Sequence, residues 1–80
     1  MTDKEIFDEL KEVYKRVTEQ EADFTLTSTL TGELEMDSIM MLCMAIEIEN
    51  AFGVAVDNSI LNSVQTVGDM VKYIKGKKSE

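Results

Sequence analysis

The stretch Glu33-Leu-Glu-Met-Asp37-Ser38-Ile39-Met-Met-Leu-Cys-Met-Ala-Ile46-Glu-Ile48-Glu-Asn-Ala-Phe52-Gly53 decides how this chain folds. At about 100° per residue, Met41, Ala45, Ile48 and Phe52 fall on one helical face, with Leu42 beside them. The opposite face holds Met40, Cys43, Glu47 and Asn50, with Ile39 and Ile46 at its edge. The spacing predicts a helix from Asp37 or Ser38 to Phe52-Gly53, where glycine supplies the C-terminal stop. Its first two turns are apolar nearly all round. A helix of that kind is either wholly buried or shows apolar surface for a purpose.

Working outward, two more segments carry helical periodicity. Ile6, Leu10, Val13, Tyr14 and Val17 form one apolar stripe from about Thr2 to Thr18. Asp3 and Glu5 sit in the first turn of that helix and Lys15 and Arg16 near its end, as the helix dipole prefers. Thr66-Val-Gly-Asp69 has capping-box spacing with Asp in place of the usual Glu. It opens a last helix with Val67, Met70, Val71 and Ile74 as its buried stripe. Gly76 is expected to close this helix, and Lys77 to Glu80 to fray. Asp57 to Asn62 suits a short helical turn. Residues 19–37 have no period. Phe24, Leu26, Ser28 and Leu30 alternate as a strand would, but a chain this short offers no partner strand. Phe24, Leu26, Leu30 and Leu34 are therefore read as anchors pinning a long loop to the core, and loops of that length are often functional. The expected fold is all-α: a small antiparallel bundle of three main helices plus one short helix, a single domain over residues 1–80.

Composition excludes several chemistries. The 80 residues include 8 basic and 16 acidic side chains, a net charge of −8, one cysteine and no histidine. Without histidine there is no Ser-His or Cys-His triad and no His-ligated zinc. Cys43 alone excludes an intrachain disulfide and a cluster of cysteine ligands. An acidic chain is a poor partner for nucleic acid or an anionic membrane. The bases fall in two terminal groups, and residues 17–71 hold ten acids without one Lys or Arg. This acidic middle reads either as a solvated surface or as steering toward a basic partner. The N-terminus is charged from Asp3, with no signal-peptide core behind it. The longest apolar run, Ile39 to Ile46, falls far short of the ~20 residues that span a bilayer. A soluble cytoplasmic protein is expected, and a lone free thiol agrees with a reducing compartment.

Chemistry is most legible at Asp37-Ser38-Ile39. One reading makes Ser38 or Asp37 a plain N-cap. The other makes Ser38 a modified residue, since an exposed serine at a helix start is accessible and the N–H groups there favour an attached phosphate. Ser38 is no triad nucleophile, because nothing takes its proton. A calcium loop over Asp23 to Glu35 fails on ligand spacing: Thr25 and Thr27 stand where acids belong, and Gly32 is out of place.

Along most of its length the chain resembles an acyl carrier protein. The resemblance rests on Asp37-Ser38-Ile39, similar to the family's Asp-Ser-Leu attachment motif, and on the run Ile48-Glu49-Asn50-Ala51-Phe52 that follows. Val54, Val56, the Thr66-Val67 helix start and Tyr73-Ile74 extend it. It implies that Ser38, flanked by Asp37 and Ile39, carries covalent 4′-phosphopantetheine, attached from coenzyme A by a phosphopantetheinyl transferase. The arm's thiol would then hold acyl groups as thioesters for acyl-transfer, condensing and related enzymes of fatty-acid or polyketide biosynthesis. The reactive group would belong to the cofactor, so the protein needs no catalytic residue, is not itself an enzyme and needs no metal. A monomer is expected. The resemblance further implies an acyl-chain pocket lined by residues such as Met44, Ile48, Ile60 and Leu61.

Departures from the family pattern shape the rest. Glu35 replaces a glycine common three residues before the serine, and Asp57 stands where a proline commonly opens the third helix. Two positions often acidic in fatty-acid carriers are Met40 and Cys43, while Glu49 stays acidic and Asn50 replaces another acid. The expectation is an apolar docking strip of Ile39, Met40, Cys43 and Ile46, with Glu49 beside it. Met36-Asp37 before the serine, instead of a pair of small residues, favours acyl over aminoacyl cargo. A different class, an unmodified helical adaptor binding partners through the Met-rich helix, explains the apolar surface but not the Asp-Ser-Ile placement.

Overall fold

The computed structural model describes residues 2–78, the Asn58 side chain excepted. It contains α1 (Asp3–Thr18), α2 (Ser38–Phe52), α3 (Asn58–Ser63) and α4 (Val67–Lys78). No strand occurs among the described residues. The alternation at 24–30 yields one isolated antiparallel bridge, Thr29 to Thr66.

Caps set the helix ends. The Thr2 hydroxyl accepts from the Glu5 N–H at 3.2 Å, and the Glu5 carboxylate accepts from the Thr2 N–H at 2.8 Å. This capping box satisfies two N–H groups at the helix start. Hydrogen bonding from the Thr2 backbone, then its side chain, holds the Glu5 carboxyl below its ordinary range. Asp37 caps α2 and Asp57 caps α3. Gly53, at φ 71, ends α2 in the left-handed region that glycine enters without strain. The Asp69 carboxylate accepts from the Gln65 and Thr66 N–H groups at 3.1 and 3.2 Å. The Thr66 hydroxyl accepts in return from the Asp69 N–H at 3.1 Å. Asp thus serves in the capping box where Glu is usual.

Gly76 does not close α4, which runs on to Lys78. Gly76 has helical backbone and no positive φ, and an exposed glycine in a last turn costs only about 1 kcal/mol relative to alanine. Lys77 and Lys78 are helical, while the expected fraying at Ser79 and Glu80 lies outside the described residues.

The core joins Ile6, Leu10, Val13 and Tyr14 of α1 to Met44, Ile48 and Phe52 of α2 and to Met70, Val71 and Ile74 of α4. The connecting loop adds Phe24, Leu30 and Met36. Among the described residues α3 adds no buried side chain; Ile60 and Leu61 are half-buried. Phe24 lies edge-on between Phe7 and Tyr14, with ring centroids 5.7 and 5.1 Å away, a favourable aromatic geometry. Leu30 is buried and Leu34 packs on the core, but Leu26 is 48 % exposed and is no anchor through its side chain. Its backbone does that work instead. The Leu26 carbonyl accepts from the Gly68 N–H at 2.8 Å, and the Ser28 carbonyl from the Val67 N–H at 3.0 Å. Leu30 N–H donates to the Gln65 carbonyl at 2.9 Å. The first-turn N–H groups of α4, which have no intrahelical partner, are thus taken up by the loop. A Cβ on Gly68 would lie 2.9 Å from the Leu26 carbonyl oxygen, so the clasp requires glycine there.

Candidate attachment site

A tight turn delivers the chain to the start of α2. The Thr29 hydroxyl accepts from the Glu33 N–H at 2.9 Å, and its carbonyl from the Leu34 N–H at 3.1 Å. Met36 N–H returns to the Leu30 carbonyl at 3.1 Å, and the Met36 side chain is buried. Between them Glu35 takes φ 52, the left-handed region that favours glycine. This chain meets the bend with a strained glutamate.

Of the two N-cap candidates, Asp37 is the cap: its carboxylate accepts from the Met40 N–H at 2.8 Å. Ser38 becomes the first helical residue, exposed, and its hydroxyl holds no hydrogen bond among the described residues. The N–H groups of Ser38 and Ile39 precede the first intrahelical bond and, among the described residues, stay free for an anion. A free hydroxyl, unspent N–H donors and an open groove of about 500 Å³ beside them fit an esterified phosphate bearing a long arm. The adjoining carboxylate, Asp37, is engaged in capping α2 through the Met40 N–H. Among the described residues no three of Asp, Glu and Cys converge as a metal site.

On α2, Ile39 is 72 % and Ile46 60 % exposed, and Cys43 and Glu49 are exposed as well. Met40 is half-buried and packs on the core, and Leu42, placed by periodicity beside the inner face, is 49 % exposed. The exposed apolar stripe is therefore Ile39, Leu42, Cys43 and Ile46, at i, i+3, i+4 and i+7. Glu47, half-buried, meets Arg16 of α1 at 3.6 Å. The residues expected to line a chain pocket do not gather in one recess. Met44 and Leu61 line a small apolar cavity, whereas Ile48 is fully buried and Ile60 half-buried, and neither borders that cavity or the Ser38 groove. Leu10, Tyr14, Phe24, Met36 and Met41 line it instead; periodicity turns Leu10, Tyr14 and Met41 inward but does not bring their three segments together.

Residues 8–74 match the family described as "Phosphopantetheine attachment site". An acyl carrier protein of Rhodococcus erythropolis is 34% identical over 80 residues, covering 99% of this chain and 88% of that protein. The chain belongs to the acyl carrier protein family. A meromycolate extension acyl carrier protein of Mycolicibacterium smegmatis is 32% identical over 80 residues, covering 99% of this chain and 81% of the other. A solved structure from Mycobacterium tuberculosis, described as an acyl carrier protein, superposes with a TM-score of 0.81. It covers 90% of this chain and 97% of the other at 19% identity, which bears on the fold alone. This acyl carrier protein holds acyl chains on covalent 4′-phosphopantetheine. None of its described helices is long and apolar enough to cross a membrane.

Proposed function

We propose that Ser38 is the attachment residue and that Asp37 and Ile39 frame it for the modifying enzyme. The observation that carries this reading is the exposed Ser38 hydroxyl, left without a partner among the described residues because Asp37 takes over capping. When bound, 4′-phosphopantetheine supplies the thiol on which acyl thioesters form. The chain's own residues hold and present that group. Asp37 fixes the start of α2, and the free N–H groups of the first turn stabilise phosphate charge. In this reading residues 1–80 act as one monomeric, cytoplasmic carrier domain without catalysis of its own. A phosphopantetheinyl transferase loads it from coenzyme A, and acyl-transfer and condensing enzymes of fatty-acid, polyketide or related lipid synthesis use it. The likeness to a meromycolate extension carrier supports a lipid pathway.

Partner enzymes, we further propose, dock on α2 through Ile39, Cys43, Ile46 and Glu49, with Leu42 in the stripe and Met40 at its inner margin. The fitting partner surface is an apolar trough with a basic rim, because Glu47, Glu49 and Asp37 flank the stripe. Intact mass after co-expression with a broad-specificity transferase tests the attachment. A gain of one phosphopantetheine per chain, abolished in Ser38→Ala, supports it. No gain with several active transferases sinks it in favour of an unmodified adaptor.

A further inference from the structure

The apolar stripe of α2 has two unlike margins. At about 100° per residue, Cys43 and Glu47 run along one side of Ile39 and Ile46, and Leu42 and Glu49 along the other. Packing gives each side its own neighbour. Cys43, Ile46 and Glu47 share an open recess of about 320 Å³ with Arg16 and Val17, so that margin faces the end of α1. Leu42 shares the Ser38 groove with Leu61 and Asn62, so the other margin faces α3. Their charges differ too. Arg16 Nε lies 3.6 Å from the Glu47 carboxylate, and Arg16 Nη2 lies 4.0 Å from that of Glu9. Glu49 holds no ion pair among the described residues. Arg16 is the last base before Lys72, and its side chain stays 51 % exposed beside the recess that it lines.

We propose that Arg16 of α1 is a specificity-determining residue for the transferase that loads Ser38: it meets an acidic side chain of that enzyme, next to an apolar one seated in the recess on Val17, Cys43 and Ile46. The inference rests on the carrier reading and deepens it. An enzyme acting at Ser38 covers this margin as well. Glu47 lies nine residues beyond Ser38, ~13 Å along the helix at 1.5 Å per residue. A specific interface covers about 800 Å² per partner, a patch roughly 30 Å across. Arg16 decides what fits there. Its ion pair cancels Glu47 as an attractor for a base, and a base placed beside it would meet the guanidinium as a like charge, which costs affinity. Its contacts with Glu9 and Glu47 are long and solvated, a kind that contributes little, so a carboxylate of the enzyme competes for the guanidinium. The planar five-donor fork of arginine can take that carboxylate without giving up Glu47. Bases of the enzyme therefore belong opposite Glu49, and an acid opposite Arg16. This asymmetry fixes which way round the enzyme sits on α2.

Steady-state loading of the full chain from coenzyme A by the transferase of its own host, followed by intact mass, tests the assignment. A wild-type chain that no active transferase loads overturns the carrier reading and the assignment together. With loading established, Arg16→Ala is expected to raise KM roughly three- to fivefold at low salt, the range of a single exposed ion pair, with the effect in KM and not in kcat. Arg16→Lys should recover most of the loss, since it keeps the charge, and high salt should shrink it. The two glutamates should respond with opposite signs. Glu47→Gln frees Arg16 for the enzyme and should lower KM, whereas Glu49→Gln removes the charge that a base meets and should raise it. Where Arg16→Ala fails to fold, the sign of the Glu47→Gln change decides alone. A KM unchanged or lowered in folded Arg16→Ala, or not lowered in Glu47→Gln, overturns the assignment and leaves the carrier reading intact.

Discussion

Glu35 shows how a single backbone angle prepares the attachment site. A side chain in the left-handed region costs roughly 1–2 kcal/mol, and glycine avoids most of it while adding freedom to the unfolded chain. Glu35→Gly is therefore expected to raise stability by about 0.5–1 kcal/mol, read from urea unfolding with unchanged m-value. A loss of stability would mean that the φ of 52 is not strained. Asp69 carries a second expectation. Hydrogen bonds from the Gln65 and then the Thr66 backbone hold its carboxyl below the ordinary range. A depressed folded-state pKa contributes stability that is present above the unfolded value and lost as pH falls through the folded one. Asp69→Ala should thus lower Tm at neutral pH, and the gap from wild type should close below the ordinary carboxylate range. A gap independent of pH would show that the carboxylate charge is irrelevant to the cap. The capping box at Thr66 and Asp69 was readable in the sequence. So was the Thr2-x-x-Glu5 spacing at the start of α1, which the apolar stripe overshadowed.

At the scale of elements, the helices were legible and the loop was not. Ile6 to Val17 and Val67 to Ile74 have stripes that only a helix explains, and both helices form there. The loop holds α4 through backbone bonds from Leu26 and Ser28 to Gly68 and Val67, and neither distant pairing leaves a mark in residue types. Gly68 is the one trace, and its role emerges only with the 2.9 Å approach to the Leu26 carbonyl oxygen. Gly68→Ala should cost about 1–3 kcal/mol by forcing that contact apart; an undiminished urea midpoint would contradict the clasp. On α2, apolar residues all round leave periodicity no way to tell inside from outside, which is why Leu42 and Met40 exchange their expected places. Leu42→Glu or Cys43→Glu should reduce kcat/KM with a native partner about tenfold, the equivalent of ~1.4 kcal/mol at a docking anchor. Unchanged kinetics in both variants would remove the stripe from recognition.

The whole molecule is organised by charge as well as by its core. Glu33, Glu35, Asp37 and Glu49 hold no ion pair among the described residues, and Arg16 reaches only Glu9 and Glu47 from α1. Repulsion of this kind is long-ranged in dilute buffer and screened within about 10 Å at 0.1 M salt. Added sodium chloride should therefore raise Tm from low to moderate ionic strength, and a flat response would show that the acidic middle carries no strain. The missing histidine fits the same picture, since a carrier delegates its chemistry to a bound thiol and to the enzymes it visits. The most direct test of that picture is the position of the modification. A protease cutting after glutamate releases Met36–Glu47, in which Ser38 is the only hydroxyl side chain. Fragmentation of this peptide from the transferase-treated protein should place one phosphopantetheine on Ser38, resistant to reductant. The mass on any other peptide, or on Cys43 as an adduct that reductant removes, would contradict the account.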